Sequence, residues 1–287
     1  MSHTRDEWTV LSMLKRTTSY FEEKKVNSPR LSIEWLLAYV LDVKRLDLYL
    51  KYDRPLSVEE LDVLRPLVKR RANHEPLQYI TGEADFYNCR IKVNPNVLIP
   101  RQETEQLVEL IRKNHEHSEG LNVLDIGTGS GCIPISLKKE FESWKVSAFD
   151  VSEEAVELAK ENGQVNNVSV DFFKHDLFEL LNEREETKFD IIISNPPYIL
   201  FEEKESLDYE VKNFEPHLAL FCESTEKMYG AIEKFCSIYL SKHGVLYLEI
   251  HENYSGDVES IFHKQKWVVK PIRDLEEKSR FLIISGS

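Results

Sequence analysis

One stretch, Phe189 to Tyr198 (FDIIISNPPY), constrains the fold of this chain more than any other. Its isoleucines, Ile191–Ile193, form a β-branched apolar run that is typical of a central strand covered on both faces. The run Asn195–Tyr198 (NPPY) follows, and its two prolines remove two backbone donors and fix two φ angles, so the strand must end there. Open α/β sheets bind ligands at the carboxyl ends of their strands, so this stiff loop is a candidate functional site.

Strands and helices alternate on both sides of this stretch. Further strands are predicted at Val123–Ile126, Val146–Phe149, Val168–Phe173, Val245–Ile250, Trp267–Pro271 and Phe281–Ile284. Helical segments separate most of them, and this alternation predicts a parallel, doubly wound sheet with helices on both faces.

The N-terminal part of the chain has helical periodicity instead. Ser57 followed by Glu60 has the spacing of a capping box and opens a helix with one apolar stripe. We predict a helical bundle over residues 1–75. Short strands and a turn signal then predict a β-hairpin linker over 76–100, and the α/β domain occupies 101–287.

A glycine-rich turn follows the strand at Val123–Ile126. Its residues are Gly127, Thr128, Gly129, Ser130 and Gly131. Glycine lets a ligand lie directly on the main chain, and the G-x-G-x-G spacing is tighter than the G-x-G-x-x-G of dinucleotide enzymes, which suits a ligand without phosphate. Asp150 ends the next strand, where a carboxylate can accept both hydroxyls of a ribose. The turn and the acid together indicate a nucleoside cofactor, and a tight turn beside a solvated acid is the structural alternative.

The charge is unevenly distributed. The chain carries a net charge of −13, with about +2 on residues 1–80 and −15 on residues 81–287. Nucleic-acid binding depends on lysine and arginine neutralising phosphates, so the acidic second part counts against a DNA or RNA substrate.

The composition also bears on compartment and on metals. The cysteines, Cys89, Cys132, Cys222 and Cys236, are scattered, which disfavours a disulfide framework or a zinc site and fits a reducing cytosol. The first ten residues lack the apolar segment of a signal peptide, and no run of 18 apolar residues predicts a membrane helix. We therefore expect a cytoplasmic protein without a metal.

The glycine turn, Asp150 and the NPPY loop resemble class I S-adenosylmethionine-dependent methyltransferases that modify planar NH2 groups. Longer stretches resemble the protein-(glutamine-N5) methyltransferases of peptide chain release factors, the PrmC/HemK family. These stretches are LQYITG at 77–82, FY at 86–87, VLIPRQETE at 97–105, VLDIGTGSGCIPISL at 123–137, SNPPYI at 194–199 and FEPHLAL at 214–220. The chain departs from the family's pattern at Asn88, Gln102 and His251, where the family usually has glycine, proline and glycine.

The resemblance implies a fold, a reaction and partners. The fold is a Rossmann-like class I methyltransferase domain preceded by a helical bundle that recognises the substrate protein. The reaction is S-adenosyl-L-methionine-dependent methylation of the glutamine side-chain N5 in the Gly-Gly-Gln tip of release factors, a step of translation termination. Cofactor contacts are expected at the glycine turn, Asp150, Leu177 and Asn195. We expect a monomer that binds neither nucleic acid nor membrane.

The residues of the NPPY loop suggest how an amide is methylated. An amide nitrogen is a poor nucleophile, and two hydrogen-bond acceptors on its NH2 group favour the pyramidal geometry that transfer requires. The Asn195 side-chain oxygen and the Pro196 carbonyl can accept these two hydrogens, while Tyr198 stacks on the amide and Pro197 stiffens the loop. We predict Asn195, Pro196 and Tyr198 as catalytic residues and all four loop residues as substrate-binding.

Three residues upstream have two readings. By resemblance, Arg101, Glu103 and Thr104 close over the methionine end of the cofactor, but they are equally placed to cap the following helix. Asp125 is expected to act structurally or electrostatically near the cofactor's ammonium group.

Other functions remain open at this point. A glutamine methyltransferase of a ribosomal protein would share the chemistry, and an N6-adenine or ribosomal-RNA methyltransferase would share the NPPY loop. A non-catalytic binding module on the same fold is a third alternative, which the intact loop, turn and acid disfavour.

Overall fold

A computed structural model of the chain describes residues 8–181 and 187–286, so residues 1–7 of the predicted bundle lie outside it. Its α-helices are α1 (Val10–Glu23), α2 (Pro29–Leu41), α3 (Val58–Ala72), α4 (Leu77–Thr81), α5 (Gln102–Asn114), α6 (Cys132–Glu140), α7 (Glu153–Val165), α8 (Leu177–Leu180), α9 (Tyr209–Phe214), α10 (His217–Leu220), α11 (Thr225–Tyr239) and α12 (Ser255–Lys264). Short 3-10 helices lie at Arg45–Lys51, Phe201–Ser206 and Glu252–Tyr254. None of the described helices has the length and hydropathy to cross a membrane.

The strands are β1 (Glu83–Phe86), β2 (Cys89–Lys92), β3 (Asn122–Ile126), β4 (Lys145–Asp150), β5 (Asp171–Lys174), β6 (Phe189–Ser194), β7 (Ile199–Leu200), β8 (Phe221–Cys222), β9 (Leu240–Glu249), β10 (Val268–Arg273) and β11 (Ser279–Ser285). Strands β1 and β2 form an antiparallel hairpin. Across the described residues, seven strands form one sheet in the order β10-β11-β9-β6-β3-β4-β5.

The central part of this sheet is parallel, which confirms the predicted fold class. Strand β6 pairs in parallel with β3 and β9, and β4 pairs in parallel with β3 and β5. Strand β11 departs from the parallel pattern: it is antiparallel to both β9 and β10, so β10 runs in the same direction as the central strands. Only five residues separate β10 from β11, and so short a connection can join only antiparallel neighbours.

The chain divides into two compact units. Within the described residues, one unit runs to Gly82 and includes 208–214, and the other contains the rest. The predicted domain boundaries at residues 75 and 100 stay predictions.

The first unit is a helical bundle around one apolar core. Helices α1 and α3 begin at capping boxes. At α3, the Ser57 hydroxyl accepts from the Glu60 backbone amide, and the Glu60 carboxylate accepts from the Ser57 amide, as the capping box predicts. The fully buried core residues are Val10, Leu14, Phe21, Ile33, Leu36, Leu37 and Leu48.

The segment 208–214 is attached to this bundle by polar contacts. Arg71, almost fully buried, lies 2.8 Å from the Glu210 carboxylate and also donates to Ser32 and to the Asn27 carbonyl. Asn27 in turn donates to Asp208 at 3.1 Å. A buried guanidinium needs such partners because an unpaired charge in the interior is costly.

In the second unit, the alternation of side chains along β3 separates two layers. Leu124 and Ile126 pack into the apolar cluster that contains the buried residues of α8, α11 and α12. Val123 and Asp125 therefore face the opposite side of the sheet, because successive side chains of a strand point to opposite faces. Helices α5, α6 and α7 pack in sequence against one another, so the second unit has the layered form of an α/β domain.

Candidate active site

A cavity of the second unit lies at the carboxyl ends of β3, β4 and β6, where the NPPY loop begins. Its volume is about 400 Å³. Of the residues predicted from the sequence, those that line it are Arg101, Thr104, Gly127, Thr128, Gly129, Ser130, Asp150, Leu177, Asn195, Pro196 and Pro197. The loop from Pro95 to Arg101 and the start of α10 contribute further walls. The structure thus brings the turn, the acid and the NPPY loop to one cavity although they are distant in sequence.

The glycine turn exposes its main chain to this cavity. Gly129 has a φ of +54°, and a Cβ built on it would stand in open space, so nothing but the backbone borders the cavity there. Gly131 differs: it has a φ of +78°, and its Cβ would lie 3.0 Å from Ala159 and 3.2 Å from Phe172. Gly131 is outside the cavity lining. Position 131 requires glycine because a side chain would crowd the packed neighbours of the helix start. The predicted contact of Gly131 with a cofactor stays a prediction.

Asp150 is fixed at the mouth of the cavity by backbone amides. One carboxylate oxygen accepts from Gly129 N at 2.8 Å, and the other accepts from Ser152 N at 3.0 Å. Each oxygen retains a second lone pair for a hydroxyl donor. Burial raises the pKa of Asp150, and the backbone hydrogen bonds oppose that rise.

Several polar atoms beside the glycine turn are buried without a hydrogen-bond partner, and they indicate whether a polar cofactor fits this site. Both carboxylate oxygens of Asp125 and the hydroxyl of Thr128 are buried without a protein hydrogen-bond partner. Burial raises the pKa of Asp125 to about 7, while the nearby Thr128 hydroxyl lowers it and Asp150 raises it. Because buried polar groups are normally satisfied, these atoms and the open space at Gly129 fit a nucleoside ligand that carries a cationic group.

The NPPY loop is held by hydrogen bonds at its first residues. The Ser194 hydroxyl donates to the Ile126 carbonyl at 2.9 Å, which ties the end of β6 to β3. The Asn195 Nδ2 donates to the Thr104 hydroxyl at 3.2 Å, and that hydroxyl donates to Glu249 Oε2 at 2.8 Å. With Nδ2 engaged on this side, the Asn195 Oδ1 is available for a donor.

Tyr198 lies outside the cavity lining. Its ring centroid is 5.7 Å from that of His251, and it packs against the apolar core cluster. Burial raises the pKa of Tyr198 to about 12, with the Glu249 carboxylate adding to the rise, so its hydroxyl stays protonated at neutral pH. Stacking of Tyr198 on a substrate amide stays a prediction.

Several residues of the site were not predicted in the roles they have. Thr104 is not a helix cap: its buried side chain links Asn195 to Glu249. Glu215 is buried and accepts from Arg101 and from the Ile99 backbone amide, which fixes the loop that walls the cavity. Thr104 and Glu215 lie in the stretches VLIPRQETE and FEPHLAL that resemble the PrmC/HemK family, whereas Glu249 is marked in the sequence only by its position beside the apolar run of β9. No cluster of potential metal ligands is found among the described residues.

Comparisons with known proteins agree with this geometry. The family profile described as "PrmC N-terminal domain" matches residues 12–82, and the profile "Methyltransferase small domain" matches 101–213. The chain is 37% identical to the release factor glutamine methyltransferase of Chlorobaculum tepidum over 96% of both chains. It is 42% identical to the protein of that name from Lactococcus lactis, over 73% of this chain and 76% of that one.

Solved structures at lower identity show the fold alone. The ribosomal protein L11 methylase of Lactobacillus delbrueckii superposes with a TM-score of 0.50 at 22% identity, over 69% of this chain and 85% of that one. The Thermus thermophilus 16S rRNA N2 G1207 methyltransferase gives a TM-score of 0.52 at 19% identity, over 71% of this chain and 50% of that one.

Proposed function

The chain belongs to the release factor glutamine methyltransferase family, and on that premise we propose that it methylates the side-chain amide N5 of the glutamine in the Gly-Gly-Gln tip of a peptide chain release factor. One observation carries the proposal at the level of the residues. The Asn195 amide is anchored through Nδ2, so its Oδ1 is directed away from that anchor at the rim of the cavity. The NH2 group of a glutamine side chain donates hydrogen bonds, so it requires an acceptor such as this oxygen.

S-adenosyl-L-methionine supplies an electrophilic methyl group when it is bound. The residues that would hold it are the main chain at Gly127 and Gly129, the Asp150 carboxylate toward ribose hydroxyls, and Leu177 at the cavity wall. Asp125 would place a negative charge near the cationic end of the molecule. These roles rest on the lining of the cavity and on the partnerless polar atoms beside it.

The loop residues orient the glutamine amide. Asn195 Oδ1 accepts one hydrogen of the substrate NH2 and the Pro196 carbonyl accepts the other, which localises the nitrogen lone pair. The two prolines keep both acceptors in place before the substrate arrives, so little reorganisation accompanies the reaction. Pro197 maintains the direction of the loop, and Tyr198 limits access of water. The site contributes mainly by holding nitrogen and methyl carbon at about 3 Å.

The partner proposals follow from the substrate. A glutamine on a thin glycine loop can enter a narrow pocket, while the N-terminal bundle binds the body of the release factor. The −15 charge of residues 81–287 opposes phosphate backbones, which supports a protein substrate over a nucleic acid. We propose that the protein acts as a monomer in the cytoplasm.

Mass spectrometry of substrate proteins tests this function. Purified release factor, ribosomal proteins and an adenine-containing RNA are each incubated with enzyme and S-adenosylmethionine. The expected result is a gain of one methyl group on the tip glutamine of the release factor alone. The Asn195→Ala variant should lose transfer while part of its cofactor affinity survives in calorimetry. Modification of a ribosomal protein or of the RNA, with the release factor unmodified, would replace the proposal by the corresponding alternative.

A further inference from the structure

The side-chain amide of Asn195 could be placed in the site in two ways. Rotation by 180° exchanges Oδ1 and Nδ2, which have nearly the same shape. Only the orientation with Oδ1 toward the substrate accepts a hydrogen from the glutamine NH2, and the opposite one sets two donors against each other. An enzyme that depends on this carbonyl oxygen therefore needs a way to select one orientation.

The contacts behind Asn195 supply a fixed hydrogen-bond direction. The Glu249 carboxyl is ionised above its raised pKa, and an ionised carboxylate can only accept. Its Oε2 then receives the proton of the Thr104 hydroxyl, 2.8 Å away. A hydroxyl has a single proton, so Thr104 has only lone pairs left for Asn195. It must then receive a hydrogen from Asn195 Nδ2, at 3.2 Å. The direction set by the carboxylate is passed through the hydroxyl to the amide.

Burial makes this arrangement difficult to replace. Thr104 and Glu249 retain only 3% and 2% of their surface exposed. Water therefore has little access to these side chains and cannot readily donate to Asn195 from this side. A hydrogen bond in such surroundings is also stronger than in solvent. We infer that Glu249 and Thr104 are positioning residues that hold the Asn195 amide with its carbonyl oxygen toward the acceptor nitrogen of the substrate. This inference rests on the proposed function for its catalytic consequence, but the orientation itself can be observed without substrate.

The catalytic test compares variants of Thr104. Thr104→Val keeps the shape but removes the hydroxyl, and kcat for the release factor should fall about 10- to 100-fold because a buried hydrogen bond to Asn195 is lost. Thr104→Ser keeps the hydroxyl and should stay within about threefold of wild type. Calorimetry of the cofactor Kd in both variants separates a loss of cofactor binding from a loss in kcat, because the inference places the effect of Thr104→Val in kcat. Thr17→Val is the matched control for the loss of a buried threonine hydroxyl. The Thr17 hydroxyl donates a hydrogen bond to the Met13 sulfur in the first unit.

The orientation test uses NMR exchange of side-chain amide protons. The Asn195 NH2 signal, identified by its absence in Asn195→Ala, should be protected from solvent exchange in the wild type. It should exchange about tenfold faster in Thr104→Val, where the Thr104 acceptor is gone and only the Glu249 carboxylate can still accept from Nδ2. Equal protection in both proteins would overturn the inference. So would a wild-type kcat in Thr104→Val, or a kcat loss that Thr104→Ser does not restore. If the wild type leaves the release factor unmodified, the proposed function fails. The exchange data still decide whether Thr104 and Glu249 hold the Asn195 amide in one orientation.

Discussion

Replacing Glu249 by glutamine should change how the stability of the second unit depends on pH. The Glu249 carboxyl is buried at the end of β9, and burial raises its pKa to about 7, against the hydrogen bonds from Thr104 and Asn195. The ionisable groups that interact electrostatically with the Glu249 carboxyl are Arg280, Glu103, Tyr198, Tyr229 and Cys132. Glutamine has the same shape but does not titrate, so the comparison isolates this one group.

The sign follows from proton counting. Unfolding returns the Glu249 pKa from about 7 to its ordinary value of 4.5, so between these values the folded state binds more protons than the unfolded state. The contribution of Glu249 to stability is thus fully present below about pH 4.5 and is lost as the pH rises to about 7. From about pH 5 to about pH 8, the unfolding free energy of the wild type should fall by about 2–3 kcal/mol relative to Glu249→Gln. A constant offset from imperfect packing of the glutamine does not affect this change.

Urea unfolding at several pH values measures the difference. In both proteins, Trp8 and Trp35 are replaced by phenylalanine, so that fluorescence reports only on Trp144 and Trp267 in the second unit. The difference in unfolding free energy between the two proteins is plotted against pH. Asp125, whose pKa is also raised, is present in both and cancels. A difference that does not change with pH would show that Glu249 titrates normally, and the reasoning about its burial would be wrong.

Two further predictions concern glycines and the bundle. Gly131→Ala should destabilise the second unit by about 2 kcal/mol, because it combines a left-handed φ with contacts at 3.0–3.2 Å. Gly129→Ala should cost about 1 kcal/mol in backbone strain and mainly weaken cofactor affinity, because its methyl group would enter the cavity. Urea unfolding measures the stability of each glycine variant, and calorimetry measures its cofactor affinity. Equal loss of affinity in both variants would contradict the assignment of Gly129 to the cavity and of Gly131 to packing. Arg71→Met should destabilise the first unit by about 3 kcal/mol by leaving Glu210 without its partner. Arg71→Met with Glu210→Gln should recover part of this loss, measured by urea unfolding of the chain that retains Trp8 and Trp35 in the first unit. Wild-type stability in Arg71→Met would show that the pair contributes little.

The sequence was most informative where neighbouring residues determine the conformation. Prolines that end a strand, glycines at a turn and a run of isoleucines act within a few residues, so the parallel sheet and the candidate loop could be predicted. The antiparallel end of the sheet could not, because the alternation pattern does not show that β11 lies between β9 and β10. The turn between β10 and β11 is held by Asp274, which accepts from the Lys278 amide.

The NPPY loop illustrates the division between sequence and structure. By itself, the sequence determined that a rigid loop with an amide, two prolines and a tyrosine follows a buried strand, and that a glycine turn and an acid accompany it. Only the tertiary structure decided which atom of the Asn195 amide faces the cavity, because the residues that fix it are distant in sequence. Thr104 lies 91 positions before Asn195, and Glu249 lies 145 positions after Thr104. Neither residue forms a recognisable local pattern with Asn195. Hydrogen-bond direction is set by partners in space, and folding brings these partners together only when the sheet has formed.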